Sequence, residues 1–381
     1  MPKDKINLKG LNVAELQEFV ESLGEKKYRA RQVFTWLYGK RAQTFDEMTD
    51  LSKEFRTLLH NTATIENLQI AAKDVSKRDG TVKFLFQLTD GLKIESVLIP
   101  PDKKSPAAEK RLTLCVSTQV GCPLDCKFCA TGTMGFLRNL TAGEIVDQVI
   151  QAQRNSPRRI TNLVFMGMGE PMLNYDTVMK SVEILRSEDS FHIGARHITI
   201  STAGYADKIR QMADEGRTVK LALSLHSLDN DKRTQLMPIT KKYSVDELMD
   251  ALDYYYKKTR SRPTFEYILF DGLNDTDADA QKFIKISKRF PCKVNIIPFH
   301  SIEFTHPSGF ATTLRPTPAK RVEEFVERLR RSDITVMVRS SSGEDINAAC
   351  GQLAVEKERS TRLRTPHGPT KSLHTVHHVI S

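Results

Sequence analysis

The chain has 381 residues, with 57 Lys and Arg against 47 Asp and Glu, which gives a formal net charge of +10. Its length predicts one large domain with an appendage, and the lack of a long apolar run or a signal-peptide core predicts a cytoplasmic protein without a membrane span. The positive charge favours a polyanionic partner, for which RNA is the natural candidate. Six cysteines in such a chain favour metal binding or catalysis over structural disulfides.

The first sixty residues have the apolar spacing of helices. Apolar side chains recur at helical spacing from Val13 to Leu23, and Gly24 ends this first helix. A second helix ends at Gly39, and basic residues flank it. This small module is interpreted either as a contact surface for RNA phosphates or as a packing module with a solvated face.

Residues 67–100 change to the two-residue period of β-strands. Apolar residues alternate over 82–88, and Asp90-Gly91 predicts a hairpin turn before a second strand at 92–99. The alternation places Glu95 on the same face as two β-branched residues. Its carboxylate is therefore interpreted either as a functional group or as a side chain at the solvent-exposed end of the strand.

Strands and helices alternate after a polar linker at residues 101–111. Six βα units predict parallel strands with right-handed crossovers, hence an open partial barrel or a doubly wound sheet. Thr141 with Glu144, and Ser244 with Glu247, fit capping boxes at two helix starts. The predicted strands are residues 112–118, 160–167, 196–202, 218–226, 263–270, 293–299 and 334–339. The predicted helices are residues 141–154, 174–187, 205–214, 244–260, 277–289 and 318–331.

A cysteine motif follows the first of these strands. Cys122, Cys126 and Cys129 have the spacing C-x3-C-x2-C, and a [4Fe–4S] cluster normally takes one thiolate per iron. Three thiolates leave one iron open to the amino and carboxylate groups of a molecule such as S-adenosylmethionine (SAM). An electron from the cluster could then cleave the sulfonium and release a 5′-deoxyadenosyl radical. The alternative is a zinc site with His226 or Cys115 as fourth ligand.

Glycines and small polar side chains mark the carboxyl ends of the later strands, where ligands collect in both candidate folds. The second strand ends in Met166-Gly-Met-Gly-Glu-Pro171, whose glycines permit close approach of a ligand. There Glu170 can accept a hydrogen bond from an ammonium group. The other polar groups fit a nucleotide cofactor, or else cap the next helix; they are Ser201-Thr202, Ser224-Leu-His226 and Asn295.

Three thiols lie outside the motif. Cys115 is in the first barrel strand and Cys350 is in a C-terminal loop beside Gly351; by default they are a buried core cysteine and an unreactive loop thiol. Cys292 is assigned to the core. Residues 356–381 are rich in basic residues and His, with little apolar periodicity, which predicts a flexible basic tail.

Taken together, these motifs resemble the RlmN/Cfr family of radical SAM RNA methyltransferases, over residues from about 10 to about 355. The resemblance implies an α/β fold with a partial (β/α)6 radical SAM barrel at residues 112–345, after an N-terminal accessory domain of helices and a β-hairpin at residues 1–100 that contacts RNA. It makes residues 346–355 a catalytic loop. The stretches that carry it are Gly121–Leu140, Gly167–Pro171, Ser224–His226 and Ala348–Leu353.

The resemblance also implies a role for each candidate residue. The three motif thiols hold the [4Fe–4S] cluster. Cys350 accepts a methyl group from one SAM and loses a hydrogen atom to the radical made from a second, Cys115 resolves the protein–RNA adduct through a transient disulfide with Cys350, and Glu95 accepts a proton. The SAM site is formed by Gly169, Glu170, Ser201, Ser224, Leu225, His226 and Asn295.

The implied reaction is methylation of adenine C2 in 23S rRNA, near the peptidyl transferase centre, and of adenosine 37 in tRNA. C2 lies between two ring nitrogens and is electron-poor, so a carbon radical can add to it where a nucleophilic attack by C2 cannot occur. The target base must reach a pocket, which predicts a loop or flipped adenosine. The resemblance further implies a monomer and an electron donor such as flavodoxin or ferredoxin. Methylation at C8, as in Cfr, and a non-catalytic zinc-containing RNA-binding protein are the alternatives.

Overall fold

The structure is a computed structural model that describes residues 5–101, 111–339 and 341–355. Most of the predicted linker and the whole predicted tail at 356–381 lie outside these residues. The strands are β1 (Ile6–Asn7), β2 (Ala63–Thr64), β3 (Gln69–Val75), β4 (Val82–Gln87), β5 (Lys93–Ile99), β6 (Thr113–Cys115), β7 (Gln119–Gly121), β8 (Phe136–Asn139), β9 (Asn162–Phe165), β10 (Ile198–Thr202), β11 (Lys220–Ser224), β12 (Thr264–Ile268), β13 (Lys293–Ile297) and β14 (Thr335–Val338). The α-helices are α1 (Val13–Ser22), α2 (Tyr28–Phe34), α3 (Lys53–Thr62), α4 (Ala130–Thr133), α5 (Ala142–Arg154), α6 (Tyr175–Arg186), α7 (Ala206–Asp214), α8 (Asn230–Leu236), α9 (Val245–Thr259), α10 (Asp277–Ser287) and α11 (Ala319–Arg330).

A row of parallel strands forms the partial barrel. The strands β6, β9, β10, β11, β12 and β13 pair in this order, and β14 adds a further parallel strand beside β13. A helix joins each strand to the next because parallel neighbours need a crossover connection. The α/β partial barrel predicted from the sequence is therefore confirmed, and the carboxyl ends of its strands lie at one rim.

The capping boxes begin their helices at the predicted residues. The hydroxyl of Thr141 accepts a hydrogen bond from the N–H of Glu144 at 3.1 Å, and that of Ser244 accepts from Glu247 at 3.3 Å. In both cases the glutamate side chain also accepts from the backbone of the capping residue. Local sequence fixes these helix starts because the capping groups lie within one turn.

The predicted β-hairpin continues the barrel sheet. β3, β4 and β5 are antiparallel, and β5 pairs with β6 from Val97–Cys115 to Ile99–Thr113. The sequence analysis grouped this hairpin with the N-terminal domain, yet its strands and those of the barrel form one ten-stranded sheet. Pairing with β6 satisfies the backbone groups of β5 that would otherwise lie on an open edge. Glu95 on β5 is consequently held beside the barrel.

A buried ion pair fastens the N-terminal segment to α5. Lys9 Nζ lies 2.6 Å from the carboxylate of Asp147, and both side chains are about 1% exposed. The other carboxylate oxygen of Asp147 accepts from the N–H of Leu68 at 2.6 Å. Gly10 follows Lys9, and a Cβ there would lie 2.4 Å from the backbone N of Gly143, so the two segments touch through their backbones.

Among the described residues, no helix combines the length and apolar character needed to cross a membrane.

The ion pair yields a stability prediction. Lys9→Met leaves the Asp147 carboxylate buried without its cation, and we expect the free energy of unfolding to fall by about 3–5 kcal/mol. Denaturant unfolding followed by circular dichroism measures it. The control is Lys257→Met, which removes an exposed pair with Asp253 (2.8 Å) and is expected to cost less than about 1 kcal/mol. Equal losses in the two variants would contradict the role of the buried pair.

Candidate active site

The cysteine loop is anchored by a short hairpin that the sequence analysis did not predict. β7 and β8 are antiparallel on either side of the motif. Gly121 has φ +75°, and a Cβ there would lie 1.9 Å from the carbonyl oxygen of Gly135, so only glycine fits. The N–H of Cys122 donates to the same carbonyl at 2.8 Å. The first thiol of the motif is therefore fixed directly to the hairpin.

The C-terminal loop packs against this cysteine loop. The N–H of Ala130 donates to the carbonyl oxygen of Gly351 at 2.7 Å. The hydroxyl of Thr131 donates to the carbonyl oxygen of Leu353 at 2.6 Å. Gly351 has φ +84°, where other residues are strained. These contacts bring Cys350, far away in sequence, beside the three motif thiols.

The four thiols and most of the predicted SAM residues line one cavity of about 150 Å³. The cavity lies at the carboxyl ends of β9, β10 and β11, where the partial barrel predicted it. Its apolar wall includes Leu124, Phe128 and Met237. The predicted residues that meet in this cavity are Cys122, Cys126, Cys129, Gly169, Glu170, Ser201, Ser224, His226 and Cys350.

Glu170 places a buried carboxylate in the cavity wall. It accepts hydrogen bonds from the N–H of Met172 at 3.0 Å and of Ala203 at 2.7 Å. Burial raises the pKa of Glu170 to about 7, although these hydrogen bonds act to lower it. A desolvated carboxylate is stabilised by a cation. The side chain therefore fits the predicted partner, the ammonium group of an amino acid such as the methionine part of SAM.

His226 is a neutral, hydrogen-bonded member of the wall. Its Nδ1 accepts from the N–H of Ile268 at 3.0 Å, and burial lowers its pKa to about 3. Its ring meets that of Phe128 edge-on, with 4.5 Å between centroids. Asn274 holds the backbone of His226 by donating to its carbonyl oxygen at 2.6 Å. The imidazole is therefore a fixed, uncharged surface rather than an acid or a base.

A buried polar network that sequence analysis missed crosses the barrel interior. Glu266 on β12 accepts from the amide of Asn295 at 2.8 Å and lies 3.5 Å from the guanidinium of Arg339. Burial raises the pKa of Glu266, and the charge of Arg339 opposes this shift. Asn295 therefore contacts Glu266 instead of lining the cavity. A charged residue inside a predicted barrel strand was the signal that could have revealed Glu266.

Arg233 is a second buried charge that the motifs did not reveal. Its guanidinium is fully buried and donates to the carbonyl oxygens of Leu225 at 3.0 Å and Ser224 at 3.1 Å. Burial lowers its pKa to about 10, while the nearby Cys126 raises it. Leu225, assigned to the SAM site by sequence, contributes this carbonyl and is not among the residues that line the cavity. Arg233 thus fixes the backbone behind the site.

Two predicted catalytic residues lie behind the cavity rather than in its lining. Glu95 lies 3.2 Å from Lys83 and accepts from the N–H of Ala354 at 3.0 Å; burial raises its pKa, and the charge of Lys83 opposes this. Burial raises the pKa of Cys115 to about 12, and the charge of Cys350 adds to this shift. Cys115 and Cys350 are both free thiols. No disulfide joins these two cysteines in the structure, and the transient disulfide implied by the resemblance stays a prediction.

The sequence left two metal centres open for the motif thiols, a zinc site and an iron–sulfur cluster. Within the described ranges, no three His, Cys, Asp or Glu side chains are arranged to hold a single metal ion. A cluster makes a different demand because each thiolate binds its own iron. Burial raises the pKa of Cys122 to about 12. Bound iron would supply the positive charge that stabilises the thiolates.

Two family models match the chain. One, for the radical SAM superfamily, matches residues 116–284, which include the cysteine loop and most of the barrel. The other, for the ribosomal RNA large subunit methyltransferase N-terminal domain, matches residues 6–65. Fold, site and models together define the class: the chain is a radical SAM enzyme.

Individual relatives narrow the class. A Thermotoga protein named as a probable dual-specificity RNA methyltransferase RlmN is 46% identical over 356 residues, covering 93% of this chain and 99% of that protein. One of the same name from Salinibacter ruber is 43% identical, covering 93% and 96%. The crystal structure of a radical SAM methyltransferase from Sphaerobacter thermophilus superposes with a TM-score of 0.83 at 42% identity, covering 91% of this chain and 99% of that one. The chain therefore belongs to the RlmN family of radical SAM RNA methyltransferases.

Gly169 provides a test of the cavity wall. It has φ +98°, and a Cβ there would lie 2.5 Å from the Cβ of Gln119, whose side chain accepts from the N–H of Glu170 at 2.8 Å. We expect Gly169→Ala to displace Glu170 and to weaken SAM binding by about ten-fold or more, measured by calorimetry on anaerobically reconstituted protein.

The matched control is Gly216→Ala. Gly216 also has a positive φ of +62°, but no atom lies within 4 Å of the added Cβ. It carries the backbone strain without the displacement, so SAM affinity is expected to stay at the wild-type value. Unchanged affinity in Gly169→Ala would show that the glycine does not position Glu170.

Proposed function

We propose that the protein methylates C2 of adenosine in RNA, at 23S rRNA near the peptidyl transferase centre and at adenosine 37 of tRNA, through a methyl group carried on Cys350. The observation that carries the proposal is that Cys350 shares one cavity with the three motif thiols and the strand-end residues. Two hydrogen bonds from the cysteine loop to Gly351 and Leu353 hold the loop that bears Cys350 in this position, and a catalytic role for the thiol would account for them.

The cofactor-binding residues follow from the cavity. Cys122, Cys126 and Cys129 would hold a [4Fe–4S] cluster. Glu170 would bind the ammonium group of SAM, with Ser201 and Ser224 offering hydroxyls beside it, 3.4 Å apart. When bound, the cluster and SAM would supply a methyl cation equivalent and a carbon radical, and one turnover would consume two SAM molecules. The required electron comes from a protein such as flavodoxin or ferredoxin.

Cys350 is the methyl carrier in this proposal. Cys350 is exposed as a residue, but the protein groups packed around its sulfur raise the pKa of the thiol, while the charge of Arg339 lowers it. The guanidinium therefore favours the thiolate that attacks the methyl group. Loss of a hydrogen atom from the resulting S-methyl group leaves a carbon radical that can add to the electron-poor C2, and a covalent bond then joins the protein to RNA.

Glu95 and Cys115 would complete the reaction. The base must lose its C2 proton to regain aromaticity, and a raised pKa makes the Glu95 carboxylate a stronger base than an exposed one. Its hydrogen bond from Ala354 ties it to the loop that bears Cys350. Cys115 would then attack the sulfur of Cys350: the bond between that sulfur and the methylene carbon breaks, a transient disulfide forms, and the methylene carbon on the base takes up a proton to become the methyl group. We further propose that the enzyme works as a cytoplasmic monomer.

The cluster assignment is tested by single substitutions. Alanine at Cys122, Cys126 or Cys129 should abolish both iron binding and methyl transfer, because each thiolate holds one iron. Iron content and the colour of anaerobically purified protein measure this. Cys292→Ala is the control, since Cys292 is a buried thiol outside the cavity and its loss should leave iron content unchanged. Full activity without any one of the three thiols would exclude the assignment.

Substitutions of Cys350 and Cys115 are expected to stop the reaction at different steps. With Cys350→Ala no methyl group is loaded and no product forms. With Cys115→Ala the methyl loads and the radical adds, but no thiol releases the RNA, so a covalent protein–RNA species should accumulate as a nuclease-sensitive band on a denaturing gel. The double variant should lose that band because trapping needs Cys350. Normal turnover of Cys115→Ala would refute this division of roles.

Mass spectrometry of the adenosine product tests the position of methylation. A methyl group at C2, formed in a host that lacks its own enzyme, is the expected result. A methyl group at C8 would instead identify a Cfr-like activity built on the same radical apparatus.

A further inference from the structure

A second and larger cavity lies on the other side of Cys350. It has a volume of about 520 Å³, within the range of roughly 300–1,000 Å³ that is usual for small-molecule sites. It shares three lining residues with the cavity of the motif thiols: Ile297, Arg339 and Cys350. Cys350 therefore stands between two spaces. A group loaded on its sulfur from the smaller cavity can reach the larger one without crossing the barrel.

The walls of this larger cavity combine apolar and basic groups. Ile99, Pro298 and Val338 contribute apolar surface, and three arginines also line the space: Arg78, Arg111 and Arg339. Such a mixture suits a molecule with a flat apolar part and an anionic part. A nucleotide has both, in its base and its phosphate.

Positive charge in the cavity is only partly balanced. Arg78 pairs with Glu344 at 3.3 Å and Arg339 with Glu266 at 3.5 Å. Arg111 has no ion pair among the described residues; its Nε donates to the hydroxyl of Thr113 at 3.1 Å. The carboxylate in the lining, Asp79, is already engaged by the N–H groups of Thr81 and Gly343.

Arg111 is exposed as a residue, yet partial desolvation of its side chain lowers the pKa of its guanidinium, and the like charge of Arg339, which lines the same cavity, lowers it further. An anion between or beside them would relieve this repulsion. Phosphate matches guanidinium groups in geometry as well as in charge.

We propose that this larger cavity receives the target nucleotide of the RNA, with its base toward Cys350 and Arg111 as the contact to its backbone phosphate. The proposal rests on the function proposed above and adds where the acceptor lies and which residue positions it. A nucleotide extruded from an RNA loop brings its phosphate with it. A phosphate contact fixes its register but carries no base specificity.

Binding of an RNA hairpin with one unpaired loop adenosine, followed by fluorescence anisotropy at several salt concentrations, tests the contact. Arg111→Ala should raise Kd by about ten-fold and reduce the slope of log K against log salt by about 0.7, the value for one phosphate of a single strand. Arg111→Lys should retain most of the slope because it keeps the charge. Unchanged Kd and slope in Arg111→Ala would overturn the proposal.

The matched control is Arg196→Ala. Arg196 is an exposed arginine just before β10, at the end of the barrel strands opposite to the site. It should leave Kd and slope unchanged. A second variant, Met337→Glu, places a carboxylate on an exposed lining residue of the same cavity and should weaken RNA binding by repulsion. Wild-type affinity in this variant would also contradict the proposal.

A partial reaction separates this proposal from the proposed function. Methyl loading on Cys350 needs no RNA, so mass spectrometry of Arg111→Ala incubated with SAM should show normal loading, while its KM for RNA rises. Loss of loading in this variant would show that Arg111 serves the smaller cavity and would overturn the acceptor site. If wild-type protein neither loads a methyl group nor modifies RNA, the proposed function fails, whatever the RNA affinity of the variants.

Discussion

The contact between the cysteine loop and the C-terminal loop is the constraint on which the active site depends. Two hydrogen bonds, from Ala130 to Gly351 and from Thr131 to Leu353, join segments more than two hundred residues apart. The left-handed backbone of Gly351 makes this close approach possible. Without the contact, the barrel rim would still collect the cofactor-binding residues. Cys350 and Gly351 would no longer be held in the cavity lining by these bonds, and in our proposal Cys350 is the residue that carries the methyl group to the acceptor.

The cavity owes its electrostatic character to desolvation. Buried charges without partners are costly, and each of the three that surround the site is engaged differently. Glu170 accepts backbone hydrogen bonds and keeps a raised pKa of about 7. Arg233 donates hydrogen bonds to backbone carbonyl oxygens. Glu266 accepts a hydrogen bond from Asn295 and lies beside the guanidinium of Arg339. Of the two carboxylates, Glu266 has Arg339 as its cation, whereas Glu170 has no cationic partner among the described residues, and a cationic ligand would supply one.

Local sequence predicted most of the elements because their signals lie within a few residues. The capping boxes at Thr141 and Ser244 act within one helical turn, and the βα alternation follows from apolar periodicity. The residues that sequence missed depend on distant partners. Glu266 is a charged residue inside a predicted strand, but its partner Arg339 can be identified only in the folded barrel, where the two side chains lie 3.5 Å apart. The sequence analysis grouped the β4–β5 hairpin with the N-terminal residues because strand pairing across the linker leaves no local signal, and in the structure this hairpin shares one sheet with the barrel strands.

The sequence by itself determined which side chains are available to the candidate site: three thiols at fixed spacing, a glycine-rich strand end with Glu170, and further polar strand ends at Ser201, Ser224 and His226. Their positions at one rim follow from parallel strands alone. Tertiary structure decided which of these residues face the cavity. The amide of Asn295 contacts Glu266, the backbone carbonyl of Leu225 accepts a hydrogen bond from Arg233, and Cys350 lines two cavities. The physical reason is that side-chain direction inside a barrel is settled by the burial of charge and by contacts between distant loops, which no local pattern records.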